Sequence, residues 1–281
     1  FNNDGSFLNV YRQFKSQNSN LYFTGEAIDE KLSFTIQMDY SSSDPLVEAF
    51  IGYQINENTT LYFGQMQVNH NNLEMTQNED QLRLTNRGLI SETYTESGEE
   101  FGIFLETSFG NSFLVEPKFA VTSGDGRNSF GVDSRDSDKG GVKFGSRVNI
   151  LPFGSFEDGN QESTVDLTNE QKLKAQVGFA FSKNFGASNL VGDGHGDFIL
   201  YDNLGNEHFP DYSQLFFDLN LKYKGFSFLF EYADSFASSL NGIYTDPNGF
   251  NLLQPEEISE YLVLGDSQGI HFGYFTKNGY S

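Results

Sequence analysis

The chain has 281 residues, with 17 basic and 39 acidic side chains and a formal net charge of −22. A surface that acidic repels phosphate backbones, which excludes nucleic acid as a partner, and it disfavours simple charge adsorption to an anionic membrane. Cysteine is absent, which removes disulfides, zinc–thiolate sites and thiol catalysis together.

Tryptophan is absent too, yet phenylalanine occurs 30 times and tyrosine 14 times, beside a mean hydropathy of −0.46. A protein whose strands carry one apolar and one polar face has this average. No run of about 18 apolar residues occurs, so no transmembrane helix is expected. Phe1 is not a natural start, which predicts that the chain begins after processing or truncation. One domain over 1–281 is expected.

Twelve strands are predicted, near 5–15, 19–29, 31–40, 46–56, 58–68, 98–108, 111–122, 138–150, 170–183, 211–223, 225–236 and 267–277. The third sets the pattern. Leu32, Phe34, Ile36, Met38 and Tyr40 point one way, and Lys31, Ser33, Thr35, Gln37 and Asp39 the other. Later strands repeat it: Phe144 and Val148 oppose Lys143, Gly145 and Arg147, and Leu215 to Tyr223 oppose Phe216, Asp218, Asn220 and Lys222. A strand of about ten residues, tilted, spans the apolar height of an outer-membrane barrel, whereas ordinary globular strands run to about 5–6 residues.

The connections fall into two classes. Short ones are expected near 29–31, 56–58, 110–111, 224–225 and 277–279. Long ones cover 69–97, 123–137, 184–210 and 237–266, and a brief 41–45 link takes a long-loop position. Short turns on one side and longer loops on the other describe an all-β, transmembrane, antiparallel up-and-down β-barrel, with its long loops extracellular. The 151–169 segment breaks the alternation. It predicts an extra hairpin or helix, or a different strand count. A short helix is expected over Gln254–Leu264, where Pro255 and two acids open the segment.

Three blocks carry a resemblance. The first runs Leu61-Tyr62-Phe63-Gly64-Gln65-Met66-Gln67-Val68, then Gln81-Leu82-Arg83-Leu84-Thr85-Asn86-Arg87, then Glu100-Phe101-Gly102-Ile103-Phe104-Leu105. The others are Arg147–Phe153 and Leu221–Tyr232. In order and spacing they resemble the phosphate-selective porin family (porins O and P). The resemblance implies an outer-membrane porin of a Gram-negative bacterium, forming an aqueous channel for passive diffusion of ions and small polar solutes. It also implies about sixteen strands and a trimer. With twelve strands visible and a last one stopping at Tyr280-Ser281, the expectation is a barrel lacking C-terminal strands; a complete twelve-stranded barrel is the alternative.

The resemblance further implies that pore-lining bases guide ions and that a loop folded inward narrows the channel. The residues in those positions are Lys31, Lys118, Lys143, Arg147, Lys172, Lys174 and Lys222 on polar faces, with Arg83 and Arg87 in the 69–97 loop. The alternative reading pairs these cations with carboxylates such as Glu100, Glu106, Asp218 and Glu231. The acidic loops repel anions, so weak or mixed selectivity is expected rather than phosphate preference. The expected surroundings are outer-membrane lipids and small solutes, with no cofactor.

Other chemistry is weaker. The segments 125–128, 133–138 and 192–197 are oxygen-rich, as calcium prefers, but turn chemistry explains the same residues, and no metal site is assigned. His70, His195, His208 and His271 sit in no nucleophile motif, so no enzyme is expected. The serious rival is a barrel serving as a structural subunit of a larger assembly. It would dock an envelope protein through acidic loops bearing Tyr94, Phe130, Tyr201, Phe209, Tyr212, Tyr244 and Phe250.

Overall fold

The computed structural model describes residues 19–28, 30–77, 82, 87–129, 142–194 and 196–276. It contains β1 (Asn20–Ala27), β2 (Leu32–Asp39), β3 (Leu46–Asn56), β4 (Thr59–Gln67), β5 (Glu99–Thr107), β6 (Leu114–Thr122), β7 (Lys143–Leu151), β8 (Lys174–Asn184), β9 (Asp211–Tyr223), β10 (Phe226–Ser238) and β11 (Gly265–Tyr274). All belong to one antiparallel sheet in which each strand pairs with its neighbour in sequence. Among the described residues β1 and β11 do not pair with each other, so the sheet is open. Eleven of the twelve expected strands are present. The expected strand over 5–15, the turn at 277–279, Arg83, Phe130 and His195 lie outside the described residues.

Alternation decides the faces. On β9, Phe216, Asp218, Asn220 and Lys222 are buried, while Leu215 and Tyr223 on the other face are exposed. On β7, Lys143, Arg147 and Asn149 are buried and Phe144 is 48% exposed. Among the described residues, buried polar side chains outnumber buried apolar ones. Burial is therefore inverted relative to an ordinary globular protein. The exposed face is knit by cross-strand rings: Phe179–Phe217 at 5.0 Å, Phe217–Phe230 at 6.0 Å and Phe228–Phe272 at 5.1 Å between centroids. Such pairs contribute about 0.5–1.5 kcal/mol each beyond area burial.

The sheet curls toward its polar face. Six strand spacings put β4 and β10 about 29 Å apart if flat. Asn72, five residues after the end of β4, nevertheless donates from Nδ2 to Glu231 Oε1 on β10 at 2.9 Å. Five residues reach at most about 18 Å when fully extended, and 69–71 are bent rather than extended, so the loop and two side chains fall short of the flat separation. The polar face is thus concave.

Turns and loops alternate in length as expected. The β9–β10 turn has two residues, Lys224 and Gly225, at φ 50° and 85°. Two successive left-handed residues match the twist of the flanking strands. At the opposite end the loops over 185–210 and 239–264 form their own cluster. Leu200, Tyr212, Ile243, Leu253, Ile258 and Leu262 are buried together, and bridges join Tyr201 to Tyr244 and Tyr244 to Leu252. The expected helix in the second loop is a 3-10 turn, Pro255–Glu260, held by a capping box between Gln254 and Glu257.

The 151–169 expectation needs correction. The connection between β7 and β8 covers 152–173 and contains neither hairpin nor helix. It turns back onto the polar face, where Phe156, Asn160, Ser163, Asp166 and Glu170 are buried.

Candidate functional site

The concave face is occupied by the described residues of the β4–β5 loop, 68–77 and 87–98. Its helix α1 (Leu89–Tyr94) was not expected from the sequence. Six residues are too few to display a helical period, and their apolar pair, Ile90 and Tyr94, is only intelligible against its seat. That seat is Ala180, Phe216 and Ala233, small or apolar residues on an otherwise polar face. Positions i and i+4 share one helix face. The α1 amino terminus is served from a distance: Glu74 Oε2 accepts from the Gly88 amide at 2.6 Å and from Ser91 Oγ at 2.7 Å, placing negative charge where the helix dipole favours it.

Two charged side chains of the sheet, Arg147 and Glu231, fix the loop, and a further pair, Lys143 with Glu100, joins β7 to β5. Arg147 donates from Nη1 to the Asn71 carbonyl, from Nη2 to Asp218 Oδ1 and from Nε to Asn149 Oδ1, each at 2.7 Å. Lys143 Nζ lies 2.6 Å from Glu100 Oε1, with both side chains buried. Glu231 accepts from Asn72 Nδ2 and from the Glu74 amide. Glycines open the space. A Cβ on Gly145 would overlap the His70 imidazole, and one on Gly178 would overlap Arg147 and Asp218.

The expected pore-lining cations are therefore mostly engaged. Lys118 pairs with Glu106 at 3.1 Å. Lys222 donates to the Asn160 and Ser163 carbonyls and lies over the Phe156 ring at 4.5 Å. Arg87 donates to the Glu74 and Gln77 carbonyls. Lys174 donates to the Phe153 carbonyl. Lys31 and Lys172 are exposed and precede β2 and β8 instead of lying within them. Two engagements were invisible in sequence: the grip of 152–173 on Lys222, and that of the β4–β5 loop on Arg147. Each partner lies more than 50 residues away.

The 152–173 segment is tied down by one carboxylate. Asp166 accepts from the Gly225 amide at 2.7 Å and from Asn160 Nδ2 and the Glu170 amide at 3.0 Å. Asp166→Ala leaves the buried Gly225 amide unpaired, a cost of about 1–3 kcal/mol. We expect faster protease cleavage within 152–173 in this variant, with the sheet's resistance to urea nearly unchanged. Equal cleavage of both proteins would refute the tie.

Two titratable groups of the loops bear on docking. Burial first, and Lys143 next, push the pKa of His70 down to about 3, against the pull of Glu100. Among the described residues neither ring nitrogen finds a hydrogen-bond partner. Burial pushes Asp193 up to about 7, opposed by Lys143 and by the amides of Gly98 and Ser97. Below its ordinary value of 6.5 an undocked His70 binds a proton that the docked one refuses, so acid weakens docking down to about pH 3. Between its ordinary value of 3.8 and about 7, docked Asp193 holds a proton that an undocked one releases, so acid strengthens docking there. The two oppose over most of that range. Loop cleavage in the native chain should be nearly flat from pH 7 to 4. In His70→Asn it should slow on acidification, and a rate independent of pH would contradict the assignment.

Two of the oxygen-rich segments meet. Gly126 lies against Asp193, and both line a recess of about 410 Å³ that includes Glu96 and Arg127. Among the described residues no three His, Cys, Asp or Glu side chains converge as metal ligands. The segment 133–138 lies outside the described residues. Of the aromatics proposed for docking, Tyr94 and Tyr212 are buried and Phe250 is 83% exposed.

Fold and site together define an all-β chain, an eleven-stranded antiparallel meander consistent with an up-and-down β-barrel, with a loop folded onto its concave polar face. No protein-family model matches the chain, and no curated protein is significantly similar to it.

Proposed function

We propose that this chain is an outer-membrane porin of the kind its sequence resembles, forming an aqueous channel for passive diffusion of ions and small polar solutes. In this reading the sheet closes into a barrel with its apolar face toward lipid and its polar face around water. The observation that carries the reading is the inverted burial: charged and amide side chains are enclosed, while Phe63, Ile103, Phe119, Phe144, Phe179 and Ile270 stand exposed on the other face. Contiguous exposed apolar surface on this scale marks a membrane or partner contact. The β4–β5 loop narrows the channel, and the β7–β8 connection narrows it again at the tight-turn end.

Selectivity follows from what the cations are doing. Lys118, Lys143 and Arg147 are each neutralised by a carboxylate, so the lining offers anions little free positive charge. We expect weak or mixed ion selectivity, with no preference for phosphate. A reversal potential across a planar bilayer under a salt gradient measures this. Strong anion selectivity would defeat the selectivity claim, and absence of conductance by the membrane-inserted chain would defeat the channel itself.

A second reading, a structural barrel that docks an envelope protein, is favoured by the loop cluster at the long-loop end. Two tips there are built on Asp202 and Asp246, whose carboxylates accept backbone amides within their own turns. They hold Leu204 and Phe250 at 80% and 83% exposure. Recovery of one reproducible partner from native membranes, with no conductance by the isolated chain, would favour this reading.

A further inference from the structure

The described lysines divide by partner. Lys118, Lys143 and Lys183 pair with carboxylates, and Lys174 and Lys222 donate to backbone carbonyls. Lys31, Lys172 and Lys224 have neither kind of partner among the described residues. All three stand at the tight-turn end: one before β2, one before β8 and one between β9 and β10. The long-loop end has the opposite character, since 185–210 and 239–264 hold eight carboxylates and no lysine or arginine.

Beside Lys224 the apolar outer face is grooved. The groove, of about 530 Å³, is walled by Leu221, Tyr223, Phe226, Phe228, Phe272 and Tyr274. Strand register sorts these side chains into tiers. Nearest the turn, Phe226 faces Tyr223 on β9 and Tyr274 on β11. On the next outward rung Phe228 faces Leu221 and Phe272, and on the one after that Phe230 faces Leu219 and Ile270. Neither groove tyrosine has a hydrogen-bond partner for its hydroxyl among the described residues. The Lys224 ammonium lies 5.0 Å from the Tyr223 ring centroid, which puts it at the phenol end of the groove. Away from the turn the surface thus runs from ammonium, through two hydroxyl-bearing rings, to hydrocarbon alone.

That order is complementary to a phospholipid, whose phosphate, esters and acyl chains follow in the same sequence. Tyrosine rings favour the headgroup level of a membrane, and an ammonium makes a charge-assisted hydrogen bond to phosphate. A second copy of the same face would bring more rings and another unpaired ammonium, with no carboxylate among the groove residues to meet it. We propose that this groove holds one anionic phospholipid, its phosphate on Lys224 and an acyl chain along Phe228 and Phe272. The proposal rests on the membrane reading of the outer face and adds a specific lipid to it. A net charge of −22 opposes diffuse attraction to anionic lipid, so the attraction here is local to the groove.

The test is native mass spectrometry of the full chain folded in non-ionic detergent, with phosphatidylglycerol or phosphatidylcholine added at equal concentration. One retained phosphatidylglycerol is expected, held about tenfold more tightly than phosphatidylcholine, equivalent to about 1.4 kcal/mol. Lys224→Asn removes the ammonium but keeps the hairpin, because an asparagine–glycine pair suits a turn with two left-handed residues. It should lower phosphatidylglycerol retention to the level of phosphatidylcholine. Phe272→Ala, at a side chain 76% exposed, should weaken retention of both lipids. Lys31→Gln, in the β1–β2 turn, should change neither. Equal retention of the two lipids by the native chain, or equal losses in Lys31→Gln and Lys224→Asn, overturns the site. So does a second copy of the chain bound through these rings in place of lipid. Absence of conductance defeats the channel and leaves the lipid site standing. A chain that inserts into vesicles but retains no phospholipid overturns the site alone, whereas one that stays outside vesicles overturns the membrane reading and the site together.

Discussion

Gly145→Ala should expel the β4–β5 loop from the concave face without unfolding the sheet. The new Cβ would overlap His70 Nδ1 and Cγ, and the imidazole has no retreat. The residue after it is gripped by Arg147, and the next by Glu231. Overpacking of a tight site costs about 1–3 kcal/mol, occasionally more, and the strain falls on the loop, which is seated on the sheet by side-chain contacts instead of by strand pairing. The strand itself tolerates alanine, since its pairing with β6 and β8 is through the backbone. The measurable result is rapid protease cleavage within 68–98 together with a larger single-channel conductance. His70→Ala is not a sufficient rescue, because the His70 Cβ would still lie 2.7 Å from the new atom. His70→Gly in the Gly145→Ala chain should restore both readouts. If cleavage and conductance of Gly145→Ala match the native chain, this seat does not hold the loop.

Arg147→Met should be the most destabilising single change among the charged residues. Arg147 is buried and serves three acceptors from one guanidinium. Removing it leaves the Asp218 carboxylate enclosed with its partner gone, and strands the Asn71 carbonyl. Breaking a buried ion pair from one side costs about 3–5 kcal/mol, whereas replacing both partners by apolar groups is often neutral. Urea unfolding of the folded chain should therefore show a large loss for Arg147→Met and a much smaller one for Arg147→Met with Asp218→Leu. Gly178 is what allows the pair to form, because any side chain there would occupy its space. A double variant as unstable as the single one would mean that the Asn71 and Asn149 contacts, not the uncompensated charge, set the cost.

Much of the sheet was legible from residue alternation. The β3 range 46–56 and the β9 range 211–223 coincide with the expected strands, because long runs of period two leave one way to sort polar from apolar. The alternation of short and long connections was legible for the same reason, since Gly, Asn and Asp punctuate the strands. What lay beyond reach was every contact between a loop and the polar face. The 152–173 segment, expected to hold an extra hairpin or helix or to change the strand count, is rich in Asn, Asp, Glu, Ser and Thr, and nothing in that composition shows that Asn160, Ser163, Thr164, Asp166 and Glu170 are buried, with Lys222 bound to Asn160 and Ser163. Polar residues that satisfy one another inside a protein have the same composition as polar residues in water. The cations on the polar face were identified by position, and pairing with carboxylates such as Glu100, Glu106 and Asp218 was the alternative reading, which the ion pairs bear out; which cation meets which carboxylate depended on register across strands, which alternation alone does not give.

The seat of the β4–β5 loop also carries a consequence for the order of assembly. Every strand pairs with its neighbour in sequence, so the sheet can grow hairpin by hairpin with short chain closures. The loop precedes β5 in the chain, but it packs on Gly145 and is held by Arg147 on β7, reaches Asp218 through Arg147, and binds Glu231 on β10. The first of those partners, Gly145, lies 47 residues past the loop's last residue, 98. The loop must wait undocked until β7 and β10 have joined the sheet. Docking is thus a late step of folding, and a chain ending after β6 would lack the partners that hold the loop.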